Sequence, residues 1–251
     1  METTEVRLER PTRSDAHAIL RIVRPKVGNA LSRLGAEQLS EAVDLLAADP
    51  PAGVILAAEG ERFFCAGGDL LDYQALTDHE TAYAVSMRMQ DILGRLRALP
   101  ALVVCAIEGA AIGGGAELAL ACDLRIAGSK ATVALPQSRL GVVLGWGSGP
   151  WLVEAVGRGR ALELLMTGRT VGAQEAETLG LVDSVVAAGQ AEASAIAMVG
   201  QVAAASPSSV RAVKKVLDPD ATPAGLAQIF AELWVGEDHR AAEAAWRDRR
   251  R

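Results

Sequence analysis

Apolar positions along the chain change period repeatedly, and each change marks an element. Ala18-Ile19-Leu20-Arg21-Ile22-Val23 is partly alternating and β-branched, which predicts a strand. From Ala36 to Ala47 the apolar positions Leu39, Val43 and Leu46 follow helical spacing, and Asp49-Pro50-Pro51 stops the run. Gly53-Val54-Ile55-Leu56-Ala57-Ala58 is a second strand, followed by a loop from Glu59 to Gly68. A long helical pattern then runs from His79 to Leu99 and closes at Pro100. Leu102-Val103-Val104-Cys105-Ala106-Ile107 is a continuous apolar run of strand length. Leu124-Arg125-Ile126-Ala127, Thr132-Val133-Ala134-Leu135 and Val182 to Val186 read as short strands, with helices over about 150–156 and 159–166.

Strands and helices alternate up to residue 189, which predicts an α/β core over 1–189. From Gln190 the sequence is alanine-rich, helical and poor in strand formers, so 190–251 reads as a separate helical region. No fixed-period repeat is evident.

Composition narrows the class. Half of the 251 residues are hydrophobic and the net charge is −6, enough for a sizeable core and against disorder. The acidic balance argues against a nucleic-acid partner. One basic cluster, Arg247-Asp248-Arg249-Arg250-Arg251, reads either as a solvated tail or as a phosphate or subunit contact. No apolar run approaches the ~18–20 residues a membrane span needs. Met1-Glu2-Thr3-Thr4-Glu5 lacks the apolar core of a secretory signal. Cys65, Cys105 and Cys122 fit neither a disulfide framework nor a zinc pattern, so a reduced cytoplasmic compartment is the simplest expectation. No metal or redox cofactor is expected.

The stretch richest in chemistry runs from Glu108 to Asp123. An apolar run ends in Gly113-Gly114-Gly115, and the helical segment that follows carries Glu117 in its first turn. Glycine lets a backbone N–H approach a ligand closely, and the free N–H groups of a helix start favour developing negative charge. A carboxylate one turn on can move a proton beside that charge, which suits chemistry on a thioester or other carbonyl. Glu117 also has a plain reading, as a first-turn acid complementing the helix dipole. The triplet lacks the spacing of a dinucleotide-binding loop, and no P-loop lysine follows it. Gly147-Ser148-Gly149 is not the G-x-S-x-G elbow of a serine hydrolase, because Trp146 stands where that motif has glycine.

Several ordered segments together resemble the crotonase (enoyl-CoA hydratase/isomerase) superfamily. They are Arg24-Pro25 with Asn29-Ala30-Leu31, then Phe63-Phe64-Cys65-Ala66-Gly67-Gly68-Asp69-Leu70, and then Gly113-Gly114-Gly115-Ala116-Glu117-Leu118-Ala119. Cys122-Asp123-Leu124-Arg125-Ile126-Ala127, Pro136 with Leu140-Gly141, and Gly157-Arg158 with Ala161-Leu162-Glu163-Leu164-Leu165 continue the series. Thr167-Gly168, Ala173 with Glu175-Ala176, and Gly180-Leu181-Val182 close it, so the resemblance spans about 20–215.

The resemblance implies a crotonase-like spiral of ββα turns, a C-terminal helical region and homotrimers, often paired into hexamers. It implies an acyl-CoA thioester as partner, with coenzyme A entering only as part of the substrate. Gly68 and Gly114 would supply the two N–H groups on the thioester oxygen, and Glu117 the acid/base. Arg24 and Lys26 would meet the nucleotide end, while Ala66, Tyr73, Gly145 and Trp146 would line the substrate site. Asp69 reads as fixing its own loop and Cys65 as packing; His79 is a further candidate for the acyl pocket. His17 and His239 read as surface residues.

Two positions depart from the family pattern. Where its hydratases carry a second glutamate after proline, this chain has Pro136-Gln137, and no Asp or Glu occurs from Leu124 to Val153. Gln137 can orient water but cannot exchange a proton at neutral pH. Trp146 in Gly145-Trp146-Gly147 resembles the Trp-Gly-Gly of family decarboxylases acting on malonyl-type thioesters, or else it is ordinary packing. At the C-terminus Trp246 and Arg249 stand where the family often has Phe-x-x-Lys/Arg. The leading expectation is a hydratase/isomerase-type enzyme; a decarboxylase and a catalytically silent acyl-CoA-binding protein are the alternatives.

Overall fold

The structure is a computed structural model and describes residues 4–10 and 17–249. The expectations for Met1 to Thr3 and for Arg250 and Arg251 lie outside the described residues.

Strands β1 (Val6–Glu9), β2 (His17–Ile22), β3 (Gly53–Ala58), β5 (Leu102–Ile107), β7 (Leu124–Gly128) and β10 (Ser184–Val186) form one sheet in the order β1-β2-β3-β5-β7-β10. All its pairings are parallel except β1–β2. A parallel sheet covered on both faces calls for continuous apolar runs, which is why β3 and β5 read as unbroken rather than alternating. One face packs on α1 (Arg33–Ala48) and α3 (His79–Arg97) through Leu39, Val43, Leu46, Met89, Ile92 and Leu96. The other is covered by α8 (Ala191–Ala203), whose Ala191, Ala195 and Val199 meet Ile19, Ile55 and Val104.

A second sheet has the order β4-β6-β8-β9, from β4 (Phe63–Cys65), β6 (Ala110–Ile112), β8 (Thr132–Ala134) and β9 (Thr170–Gly172). The spiral follows from these two orders. β3-β4-α3, β5-β6-α4 (Gly114–Leu120) and β7-β8-α5 (Gly149–Val156) each place one strand in each sheet and then a helix. The turn before them runs β2, Leu31, α1, with Leu31 forming a parallel bridge to Gly68. This is the crotonase-like α/β fold.

The expected strands and helices are present, β3 and β5 with the ends expected and the others with ends shifted by one to three residues. Four strands are additional. β4, β6 and β9 have three residues each, too few to show a period, and β4 lies inside the segment expected to be loop. The four-residue β1 is paired along its length to β2. Beyond α8, helices α9 (Pro207–Val216), α10 (Pro223–Trp234) and α11 (Glu237–Asp248) bury no residue. They leave Val213, Leu217, Phe230, Trp234, Val235 and Trp246 exposed. Lys214 ties α9 to the body, pairing with Asp123 at 2.7 Å and donating to the Arg97 carbonyl at 3.0 Å.

Candidate active site

Parallel pairing of β4 with β6 aligns Phe63 with Ala110 and Cys65 with Ala111. The chain therefore leaves both strands at the same end of the small sheet, and residues 66–69 meet residues 113–115. The contact is close enough that a Cβ at Gly67 would lie 3.0 Å from the Gly114 nitrogen. Gly113 caps α4 at φ +57°, a region L side chains rarely adopt. A Cβ at Gly115 would run into the Cys65 carbonyl. At Gly114 it would come within 2.6 Å of the Trp146 indole, and at Gly68 within 2.5 Å of the Tyr73 ring. The N–H groups of Gly68 and Gly114 have no acceptor among the described residues.

Glu117 projects from the first turn of α4 and is 2 % exposed. Its Oε2 accepts from the Trp146 N–H at 2.9 Å and the Ser148 hydroxyl at 3.1 Å. Its Oε1 accepts from the Gly145 N–H at 3.2 Å and from Gln137 Nε2 at 3.3 Å. Burial raises its pKa above the usual glutamate range, and these donors only partly offset that. A buried carboxyl held by donors in this way is placed to take a proton and return it. Gln137 begins a 3-10 turn after Pro136 and is itself buried; its Oε1 has no hydrogen-bond partner among the described residues. Ser148, excluded above as a hydrolase nucleophile, is fully buried. Its signal was there in the glycine-flanked serine, but only the fold turns that hydroxyl toward Glu117.

The loop carrying Gly68 is braced from below. Arg24 Nη1 reaches Asp69 at 3.0 Å and the Ala30 carbonyl at 2.5 Å, while Nε meets Glu5 at 3.2 Å. Asn29 accounts for its place in the Arg-Pro-containing segment. It sits at φ 54°, accepts from the Arg24 N–H at 2.9 Å, and donates to the carbonyls of Glu59 and Phe63 at 3.0 and 2.8 Å. Asp69 caps α2 (Leu70–Tyr73) through the amides of Leu71 and Asp72, as its sequence reading anticipated. Ala66 is half-buried and its N–H bonds to the Gly28 carbonyl; Lys26 is exposed.

The Tyr73 hydroxyl is buried with no partner among the described residues, and burial pushes its pKa up to about 12, so it stays protonated. Beside this ring lies a cavity of about 220 Å³ between α1, α2 and α3, lined by Ala36, Ala84, Val85 and Met89 together with the charged Arg33, Glu37 and Arg88. His79 is exposed and stacks on Tyr83 with ring centroids 6.2 Å apart, away from these groups. Burial pushes the Cys65 thiol up to about 12, which leaves it a packing residue. His239 is half-buried against Trp234. No group of three or more metal-ligating side chains occurs among the described residues.

The ββα spiral brings the loop of Gly68 against the start of the helix that carries Gly114 and the buried carboxyl of Glu117. The enoyl-CoA hydratase/isomerase family profile matches residues 12–244. YngF of Bacillus subtilis, provisionally named an enoyl-CoA hydratase/isomerase, is 36% identical over 93% of this chain and 92% of its own length. The probable enoyl-CoA hydratase 2, mitochondrial, of Arabidopsis thaliana is 37% identical over 85% of this chain and 71% of its own. The crystal structure of an enoyl-CoA hydratase from Bacillus anthracis superposes with a TM-score of 0.91 at 30% identity, covering 98% of this chain and 97% of that one. The chain belongs to the enoyl-CoA hydratase/isomerase family of acyl-CoA enzymes.

Proposed function

We propose that this protein hydrates or isomerises an enoyl-CoA thioester, with Gly68 and Gly114 as the oxyanion hole and Glu117 as the acid/base. The observation that carries the reading is Glu117, a buried carboxyl of raised pKa on the helix that begins at Gly114, where the Gly68 loop packs and where the amides of Gly68 and Gly114 have no acceptor among the described residues. In hydration, the oxygen of water bonds to the β-carbon and its proton passes to Glu117. Electrons move onto the thioester oxygen, where the two amides stabilise the enolate. Glu117 then returns the proton to the α-carbon. One such donor is typically worth about 3–4 kcal/mol to the barrier. Gln137 orients the water, or in isomerisation the acyl chain, because its Oε1 has an unused acceptor. A single carboxyl suits a proton shift between two carbons of one substrate as well as it suits hydration.

Lys26 faces solvent and supplies charge to the nucleotide phosphates, with the Ala66 loop beside it. The cavity next to Tyr73 takes the acyl chain, and Gly145 and Trp146 hold the carboxyl of Glu117 through their amides. The exposed apolar positions of α9 to α11 support assembly into a homotrimer or hexamer, the role we assign to 190–251. Three free, buried cysteines suit a reducing cytoplasm.

A second reading is favoured by Trp146, whose indole lies over Gly114. An apolar wall there suits loss of carbon dioxide from a malonyl-type thioester, which needs an acid but no base. Purified protein mixed with crotonyl-CoA and with methylmalonyl-CoA, followed by mass, decides between them. A gain of 18 mass units, the mass of water, supports hydration, whereas loss of carbon dioxide moves the assignment to decarboxylation. Tight binding of both esters without turnover would make the protein a silent acyl-CoA binder.

A further inference from the structure

Arg24 occupies a position whose charge invites a phosphate ligand, yet its surroundings argue otherwise. Only 19% of its side chain is exposed. The guanidinium lies between two carboxylates, Glu5 at 3.2 Å and Asp69 at 3.0 Å, so the cluster is net negative. A polyphosphate approaching it meets repulsion from the surplus carboxylate as well as attraction.

Those bonds lead to Gly68. One oxygen of Asp69 takes Arg24, and the other caps α2 through Leu71 N–H at 3.0 Å and Asp72 N–H at 3.4 Å. The Asp69 N–H donates to the Leu31 carbonyl, and the Leu31 N–H to the Gly67 carbonyl, both at 2.8 Å. The peptides on either side of Gly68 are thereby tied to one residue. The capped turn, α2, ends at Tyr73 and carries its ring back against Gly68. Gly68 is fixed before it, behind it and across its face, and every tie except Leu31 runs through Asp69. Burial alone would raise the Asp69 pKa, but the hydrogen bond from Arg24 and the two amides hold it below the ordinary value, so the carboxylate is charged at neutral pH.

We propose that Arg24 is a positioning residue: it aims the Gly68 N–H through Asp69, and it does not bind the substrate's nucleotide. The claim rests on the proposed role of Gly68 as an oxyanion donor.

The test compares a coenzyme A thioester with the matching pantetheine thioester, which has the same acyl and thioester groups but no nucleotide. In Arg24→Met and Asp69→Asn, kcat falls by about 10- to 100-fold on both esters, because the misplaced amide acts at the thioester oxygen. Arg24→Lys, which keeps the charge, recovers part of the loss. A loss confined to KM for the coenzyme A ester, with the pantetheine ester unaffected, overturns the proposal and makes Arg24 a nucleotide ligand. So does an unchanged kcat in both variants. Asp69→Asn keeps the capping oxygen and replaces the oxygen that accepts from Arg24 with an amide NH2, so it carries the test if Arg24→Met fails to fold. Wild-type protein that turns over neither ester overturns the proposed reaction instead. The loop claim then stands on glycine-labelled amide spectra, in which Arg24→Lys, a change distant in sequence, shifts the Gly68 resonance and leaves Gly114 in place. A Gly68 resonance that does not move sinks it.

Discussion

The indole of Trp146 covers Gly114 so closely that a methyl group on that glycine would come within 2.6 Å of the ring, and the N–H of the same tryptophan donates to Glu117 at 2.9 Å. One residue thus sets both the space above a candidate oxyanion donor and the position of the candidate acid. Gly114→Ala forces the indole aside, and overpacking of this kind typically costs about 1–3 kcal/mol. Melting curves of Gly114→Ala, Trp146→Leu and the double variant should show the two changes coupled, with the double variant more stable than the sum of the single losses. Additive losses would mean the contact is not felt.

Glu117→Gln keeps the size of the side chain and one of its two acceptor oxygens but cannot exchange a proton. Turnover should fall by about 10²- to 10⁴-fold while the fold remains. Full turnover in this variant would remove the acid/base role.

The pH dependence follows from the raised pKa of Glu117. The folded protein holds this proton more tightly than the unfolded chain does, so its stabilising effect is complete below the model-compound value of 4.5. It is lost as pH rises through the higher folded-state value. Wild type should therefore lose stability relative to Glu117→Gln as pH rises from 4.5, measured by denaturant midpoints. In wild-type hydration, the acidic limb of kcat/KM should lie above 4.5 and belong to Glu117.

Gln137→Glu places a second carboxyl at the position whose Nε2 now lies 3.3 Å from Glu117. Two carboxyls this close share a proton, and one of them titrates higher than the other. The pair can activate water and protonate carbon in separate steps, so hydration of crotonyl-CoA should rise. An unchanged or lower rate would count against the account of Gln137 as the missing acid.

Tyr73→Phe removes a buried hydroxyl that has no partner among the described residues while keeping the ring against Gly68. Leaving such a group unpaired costs about 1–3 kcal/mol, so the variant should melt at the same temperature or higher. Tyr73→Ala, which removes the ring, should lower kcat. A marked fall in melting temperature for Tyr73→Phe would show that the hydroxyl has an unrecognised partner.

Light scattering tests the assembly proposed for 190–251. A mass of three or six chains is expected, and it should drop when Phe230 and Trp234, both exposed on α10, are replaced by charged residues.

Much of this protein can be read along the chain. Its long strands and helices announce themselves, because β3 and β5 are buried on both faces and α1 and α3 on one, and burial writes a period into the residues. The glycine triplet and Glu117 were legible for a similar reason: a backbone that must turn at φ +57° and pass against a carbonyl admits little else. The three-residue strands were not legible, since they are too short to carry a period and exist through pairing with strands distant in sequence. The partners of Glu117 are the clearest case. Gly145, Trp146 and Ser148 lie 28 to 31 residues away, and no local pattern reveals that a loop folds back to donate into a buried carboxylate. Arg24 shows the same limit, because its charge is local information but its neutralisation by Glu5 and Asp69 is not. Sequence determines which groups are available and where the backbone must bend; only tertiary packing decides which charges are desolvated, which amides stay unpaired, and so where chemistry can occur.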